Sequence, residues 1–301
     1  MFLQRTLKKS SAVGGIGLHT GKPCRLTFRP APSDIGIHFI KKDHISHPSI
    51  KVFAENVKAT MNATTIGSQE FQVSTVEHCL STFAALRIDN AFIEIEGPEL
   101  PILDGSSKFF LEAIQAAGVV EQDQPRKYIY IREPIQIFEG DKQAFVLPYD
   151  GLRITCTIDF EHKAIGKQNI DIDINEVSFA REIASARTFG FLKDVEKLKT
   201  MGLIQGGSFE NVVVLDNEKV LNQEGLRYAD EFVRHKVLDA LGDLVTLGAP
   251  LMGHVVLYKA GHDLLNRLVR RILQLPERTS TFEMAESLTV EEESRLPWQM
   301  I

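Results

Sequence analysis

The feature that most constrains the fold is an order of predicted elements that occurs twice along the chain. In residues 1–125, segments with alternating apolar and polar residues come before two helical patterns, and the same order returns after residue 126. Strands followed by helices in each half indicate an α+β fold. A chain of 301 residues is long enough for two such domains, although no residue-level repeat relates the halves.

Turn residues and apolar periodicity give approximate bounds for these elements. In the first half the predicted strands are 15–19, 24–28, 36–40 and 91–96, and the predicted helices are 74–86 and 104–118. The polar stretch 121–127 is predicted to be a linker. In the second half the predicted strands are 128–131, 136–138, 155–160, 211–215 and 254–258, and the predicted helices are 193–201, 226–247 and 263–274. The predicted domains are therefore 1–125 and 126–274, followed by a peripheral extension over 275–301.

Composition excludes several classes of partner and compartment. The net charge of −6 argues against electrostatic binding to nucleic acid or to an anionic membrane. The first residues lack a secretory signal, and no apolar run is long enough for a transmembrane segment. Cys24, Cys79 and Cys156 are too widely spaced for a metal knuckle or a disulfide framework. We therefore expect a cytoplasmic protein, and we expect a monomer.

The most informative motif is a line of polar residues inside the predicted helix 226–247. His235, Asp239 and Asp243 are spaced by four residues, so they lie one above the other on one face of a helix. A histidine and an aspartate at this spacing can bind one metal ion. A solvated polar face would have the same pattern, and the spacing alone leaves both interpretations open.

Two further motifs have comparable alternatives. Glu77 and His78 stand near the start of the predicted helix 74–86, where a third metal ligand and an adjacent carboxylate would suit a catalytic metal site with an open position. Ser74 and Glu77 also match a capping box, which would leave His78 as an ordinary helix histidine. His262 lies on a loop between a strand and a helix, either as a proton donor or as a surface residue.

Glycine-containing segments at 186–190 and 206–208 flank the predicted helix 193–201, where the glycines could simply end that helix. The sequence has no Walker loop, GxGxxG motif, GxSxG elbow or CxxC motif. Nucleotide-phosphate loops, dinucleotide sites and serine-hydrolase elbows are therefore not indicated.

Taken together, these segments resemble the UDP-3-O-acyl-N-acetylglucosamine deacetylase family, the zinc enzymes that commit bacteria to lipid A synthesis. The resemblance runs in order through residues 15–21, 74–78, 99–106, 186–191, 206–211, 233–243 and 259–262. It implies two similar α+β domains, each a small, mostly antiparallel sheet packed with two helices, with the active site in the cleft between them. It also implies a small-molecule substrate, acylated UDP-N-acetylglucosamine, whose N-acetyl amide is hydrolysed to the free amine and acetate.

The resemblance assigns roles to residues at matching positions. His78, His235 and Asp239 would bind one catalytic zinc ion, Zn2+. Glu77 would be the general base, and His262 the general acid or electrostatic stabiliser.

The remaining implied roles concern the substrate. Thr188 would help to hold the oxyanion, and Asp243 would orient His262. Lys236 and Lys259 would meet the polar and diphosphate groups. The acyl passage and its approaches would be formed by Leu18, Phe189, Leu192, Val195, Gly207, Ser208 and Val212. The chain departs from the family at Ala63, where many members have a cysteine that is not a catalytic zinc ligand.

Two hypotheses of other classes compete with an enzyme. A zinc-dependent binding protein could keep the family's architecture without turnover, although binding alone needs neither Glu77 nor His262. A metal-free structural module would instead have His78 and His235 buried and hydrogen-bonded. A metal assay separates the second hypothesis from the others.

Overall fold

The computed structural model describes residues 2–283 of the chain. Its first half contains ten strands and two helices, and both helices and four of the strands overlap elements predicted from the sequence. They are β1 Leu3–Leu7, β2 Ser11–Ile16, β3 Pro23–Pro30, β4 Ile37–Lys41, β5 Ser49–Lys51, β6 Val57–Ala59, β7 Thr65–Gly67, β8 Gln72–Val73, α1 Glu77–Ala85, β9 Ala91–Glu96, α2 Lys108–Ala117 and β10 Val119–Pro125, with a 3-10 turn at Ala54–Asn56.

The main sheet of this half has five strands in the order β2-β3-β9-β4-β5. All neighbours are antiparallel except β4 and β9. Alternate residues of β9, including Ile93 and Ile95, are buried, as expected for strands with one face on the core. Helix α1 is buried along almost its whole length, so it lies inside the molecule and not on its surface.

The second half contains nine strands and four helices. They are β11 Lys127–Ile131, β12 Ile135–Glu139, β13 Lys142–Leu147, β14 Leu152–Asp159, β15 Lys167–Asp173, α3 Glu176–Ser178, β16 Phe189–Phe191, α4 Leu192–Thr200, β17 Val213–Leu215, α5 Glu231–Leu244, β18 Leu251–Tyr258, α6 His262–Leu273 and β19 Thr279–Glu283. A π-helical turn at Phe179–Ile183 follows α3, and 3-10 turns occupy Val245–Leu247 and Pro276–Arg278.

The main sheet of this half has seven strands, in which β18 pairs with β11, β13 and β14. Its pairs are mostly antiparallel, and α5 and α6 are the long helices that pack against it. The apolar residues of α6, among them Leu264, Leu268 and Ile272, lie on its buried side. The predicted α+β fold class is confirmed, with a mostly antiparallel sheet and two long helices in each half. We therefore retain the proposal of two domains that meet near residue 126.

Several predicted bounds differ from the structure, among them the strand predicted at 15–19, which is β2 over Ser11–Ile16. Most of the predicted linker 121–127 is strand: residues 121–125 belong to β10, whose backbone pairs with β1 and whose polar side chains point largely outward. Helix α5 begins at Glu231 and not at 226, because the preceding backbone turns to donate to the Glu231 carboxylate. The predicted extension begins within the second sheet, where β19 pairs antiparallel with β11. The rest of that extension, 284–301, lies outside the described residues.

Helices α1 and α5 cross in close contact and join the two halves. Gly242 makes this approach possible, because a Cβ built there would lie 2.1 Å from the carbonyl oxygen of Glu77. The crossing brings the start of α1 against the middle of α5, which are about 160 residues apart in the chain.

Candidate active site

The polar line on α5 is buried. His235, Asp239 and Asp243 are 1%, 4% and 3% exposed and face the start of α1, so the solvated-face interpretation of their spacing is wrong. Polar side chains at such depth need partners, because an unpaired buried polar group costs free energy. The site is therefore built where α1 and α5 cross.

Three of these side chains form a group with metal-ligand geometry. Oδ1 of Asp239 lies 3.3 Å from Nε2 of His235 and 3.6 Å from Nε2 of His78. The three ligand atoms lie within 4.8 Å of one another. Among residues 2–283, Oδ1 of Asp239 is buried without a hydrogen-bond partner. Two imidazole nitrogens and one carboxylate oxygen are the donor types that zinc accepts in open catalytic sites, so these residues fit a zinc ion.

The charge states of this group also suit a cation. Burial lowers the pKa of His235 to about 3, so its imidazole is neutral at physiological pH. Its Nδ1 lies 3.0 Å from the carbonyl oxygen of Ala186, which as an acceptor selects the tautomer with Nε2 free. Burial alone would raise the pKa of Asp239, but its interactions with the His235 imidazole and the Lys236 ammonium lower it well below its usual value. The carboxylate is therefore ionised.

Glu77 begins α1 beside this group. Its Oε2 accepts a hydrogen bond from the backbone N–H of Thr64 at 3.0 Å, and its Oε1 lies 4.0 Å from Nε2 of His262. The helix has no side-chain cap at Val76, so the capping-box interpretation of Ser74 and Glu77 is wrong. Burial raises the pKa of Glu77, partly offset by His262 and His78. A carboxylate with a raised pKa in a cleft is a candidate proton acceptor.

His262 begins α6 on the other side of Glu77. Its Nδ1 lies 2.7 Å from Oδ2 of Asp243, and Oγ1 of Thr64 donates to Oδ1 of the same carboxylate at 2.6 Å. Burial favours a neutral imidazole, but Asp243 and the nearby Glu77 raise the pKa of His262 to about 10. Glu77, Asp239 and His262 also form a cluster compact enough for a metal. A cationic imidazole is a poor ligand, so the group with the neutral His235 is the better metal site.

Thr188 is held by backbone contacts to both halves of the chain. Its N–H donates to the carbonyl of Gly105 at 2.8 Å, and its carbonyl accepts from the N–H of Val213 at 2.8 Å. Gly105 has a φ of +85°, and a Cβ there would meet the Asn211 carbonyl, so glycine is required at this junction. Thr188 lines the same cavity as Glu77.

A cavity of about 610 Å³ connects these groups with an apolar channel. Its lining includes every residue predicted for the acyl passage: Leu18, Phe189, Leu192, Val195, Gly207, Ser208 and Val212. Lys236 also lines the cavity, and its Nζ donates to Oδ2 of Asp239 at 2.8 Å. Lys259 does not line it, and its ammonium pairs with Asp141 at 2.9 Å and Asp159 at 3.4 Å. Asp243 lies behind His262 and is also outside the lining.

Sequence reasoning missed three polar residues at this site. Thr64 binds both Glu77 and Asp243, as described above. His19 is buried on the cavity wall, and burial lowers its pKa against the effect of Glu99. Glu99 is fully buried and accepts from the backbone N–H of His19 at 2.9 Å. His19 and Glu99 stand in the segments 15–21 and 99–106 that carry the family resemblance, which was the signal available for them.

Comparisons with known proteins show which family this chain belongs to. The family model described as LpxC, UDP-3-O-acyl N-acetylglycosamine deacetylase, matches residues 4–274. This chain belongs to that family. A relative from Bdellovibrio bacteriovorus is 61% identical over 298 residues, which cover 99% of each chain, and is named UDP-3-O-acyl-N-acetylglucosamine deacetylase. Relatives with the same name from Myxococcus xanthus and Hahella chejuensis are 50% and 45% identical, over 91% and 95% of this chain and 87% and 96% of theirs.

Membership in the LpxC family confirms the resemblance seen in the sequence. The matched region contains both helices of the crossing, the segment around Thr188 and the start of α6. Within residues 2–283, none of the helices is long and apolar enough to cross a membrane.

Proposed function

We propose that this protein is a zinc-dependent amidohydrolase that removes the N-acetyl group of UDP-3-O-(3-hydroxyacyl)-N-acetylglucosamine, the committed step of lipid A biosynthesis. The products are the free amine and acetate. The proposal includes the roles that the resemblance implies for the residues of the cleft, and it retains the cytoplasm as the compartment and a monomer as the expected state.

One observation carries the proposal. A group fit for zinc, formed by His78, His235 and Asp239, lies beside two titratable groups, Glu77 and His262, whose pKa values are both raised. Glu77 can accept a proton, and His262 can donate one. An acid and a base held next to a cation in one cleft suit hydrolysis of an unreactive amide.

The three ligand side chains would hold the zinc ion, which when bound polarises the amide carbonyl and lowers the pKa of water. Glu77 takes the proton from the attacking water. His262, kept cationic by Asp243, gives a proton to the leaving amine nitrogen. Thr188 donates to the oxygen on which negative charge develops, and such preorganised donors stabilise the transition state by several kcal/mol.

The cavity supports the proposed substrate class. Its walls combine the apolar side chains of β16, α4 and β17 with the polar groups at the α1–α5 crossing. A fatty acyl chain would lie against the apolar walls, with the N-acetyl amide of the sugar at the polar end. Lys236 would bind polar groups of the sugar. Lys259, beyond the cavity, would exchange its partner Asp141 for the diphosphate.

The decisive experiment measures deacetylation of UDP-3-O-(3-hydroxyacyl)-N-acetylglucosamine and metal content on the same preparation. Turnover that disappears on chelation, returns with zinc and is nearly lost in Glu77→Ala would support the proposal. A folded, zinc-loaded protein that turns over no acyl length would favour the binding-protein hypothesis. A protein that binds no metal would contradict both.

A further inference from the structure

The polar line on α5 begins one turn before the predicted metal ligands. Glu231 stands four residues before His235 and continues the same face of the helix. Its carboxylate is fully buried and pairs with Arg187, which is only 2% exposed. A buried charged pair is costly unless all of its polar atoms are matched, so its presence beside the site calls for a reason.

The Arg187–Glu231 pair is almost completely matched by hydrogen bonds. Oε1 of Glu231 accepts from the backbone N–H and from Nε of Arg187, both at 2.9 Å. Oε2 accepts from Nη2 of Arg187 at 3.2 Å and from the backbone N–H of Arg227 at 2.6 Å. Nη1 of Arg187 donates to Glu224 at 2.7 Å, and Nη2 also donates to the carbonyl of Gly225 at 2.7 Å. The guanidinium therefore has one permitted orientation.

This pair fixes the backbone that carries two groups of the site. Residue 186, just before Arg187, supplies the carbonyl that accepts from Nδ1 of His235 at 3.0 Å. Residue 188, just after it, is the threonine on the cavity wall. Because Glu231 binds both the side chain and the backbone N–H of Arg187, it ties this short segment to the first turn of α5.

We propose that Arg187 and Glu231 are positioning residues, which hold the Ala186 carbonyl against His235 and thereby aim its Nε2 at the metal. The inference rests on the proposed zinc function. The Arg187–Glu231 pair, called the clamp below, also positions Thr188 relative to the metal ligands. Groups that bind the far nitrogen of a metal-ligating histidine typically affect metal affinity or activity by 10- to 100-fold, and this clamp acts one step further out, through the carbonyl.

A second buried pair provides a matched control. Nε of Arg126 donates to Oδ1 of Asp89 at 2.7 Å, with side chains 7% and 11% exposed, and neither residue lines the cleft cavity. Arg187→Lys and Arg126→Lys remove the same fork-shaped group from comparable surroundings. If the role of Arg187 is purely structural, both variants should lose stability and neither should change in zinc affinity.

The experiment compares wild type, Arg187→Lys, Glu231→Gln and Arg126→Lys. Zinc affinity is measured by competition with a chelator. The unfolding temperature is measured on metal-free protein, and kcat and KM are measured on zinc-loaded protein. We expect Arg187→Lys and Glu231→Gln to weaken zinc binding by about tenfold or more and to lower kcat more than they raise KM. Arg126→Lys should lower the unfolding temperature with unchanged zinc affinity.

Glu224→Gln is the alternative test if Arg187→Lys and Glu231→Gln do not fold. Its carboxylate is 56% exposed and binds Arg187 from outside the pair, so this variant should fold and weaken zinc binding to a smaller extent. Wild-type zinc affinity and kcat in every folded variant of the clamp would overturn the positioning role while leaving the proposed function intact. A wild-type protein without affinity for zinc would overturn both.

Discussion

Nδ1 of His262 lies 2.7 Å from Oδ2 of Asp243, inside a pocket where the imidazole is only about 10% exposed. Thr64 holds the other oxygen of the same carboxylate at 2.6 Å, so Asp243 cannot turn away from the ring. A fixed, desolvated carboxylate beside an imidazole stabilises the imidazolium. This relationship makes His262 a cation at the pH values where Glu77 can lose its proton.

We expect a bell-shaped dependence of kcat/KM on pH. Activity rises as Glu77 ionises, above its usual range because burial raises its pKa. Activity falls as His262 loses its proton, at a pKa of about 10 that a bound cation would lower. Asp243→Asn removes the charge that raises this pKa, so its alkaline limb should move to lower pH. Rates between pH 5 and 10.5 test this, and a flat profile with chemistry rate-limiting contradicts the pairing.

Glu77→Gln should separate proton transfer from metal binding. The amide keeps the volume of the carboxylate and an oxygen that can accept from Thr64, so we expect zinc content close to that of the wild type. Loss of the base should lower kcat by about 10²–10⁴-fold. His235→Ala should instead lose zinc and activity together. Equal zinc loss in both variants, measured by metal analysis, would make Glu77 a ligand.

Val212→Phe should reduce the length of acyl chain that the protein can accept. Val212 lines the apolar part of the cavity, and a larger ring there fills space that the chain would occupy. We expect kcat/KM for long acyl chains to fall by about tenfold or more, with short chains little affected. Val177→Phe, at an exposed position outside the cavity, is the control. An equal loss for all chain lengths would mean that Val212 affects the cleft in some other way.

Gly242→Ala should destabilise the protein and impair activity together. The new Cβ would collide with backbone at Glu77, and backbone cannot move aside as a side-chain end can. We expect a loss of about 1–3 kcal/mol in the free energy of unfolding, measured with denaturant. Gly14→Ala, whose Cβ would lie 3.6 Å from its nearest neighbour outside the adjoining residues, should have little effect. Unchanged stability in Gly242→Ala would mean that the helices can separate at no cost.

Some of the site could be predicted from local patterns alone. The four-residue spacing of His235, Asp239 and Asp243 requires one helix face, and apolar residues around it predict burial of that helix. The same spacing extends back to Glu231, but a single glutamate at a helix start has the simpler explanation of a favourable charge at the N-terminus. The positioning role proposed for Glu231 could be inferred only from the structure, which pairs it with Arg187.

The sequence by itself determined the alternation of strands and helices, the polar face of α5 and the segments that identify the family. Each of these features depends on residues close together in the chain, within a turn or a strand, where the spacing of residues fixes the direction of their side chains. Tertiary structure decided that Glu77 faces Thr64 and does not cap its own helix, that 121–125 is strand, and that α1 meets α5 at Gly242. These outcomes depend on contacts between segments far apart in the chain, and packing of the whole molecule selects them over equally good local alternatives.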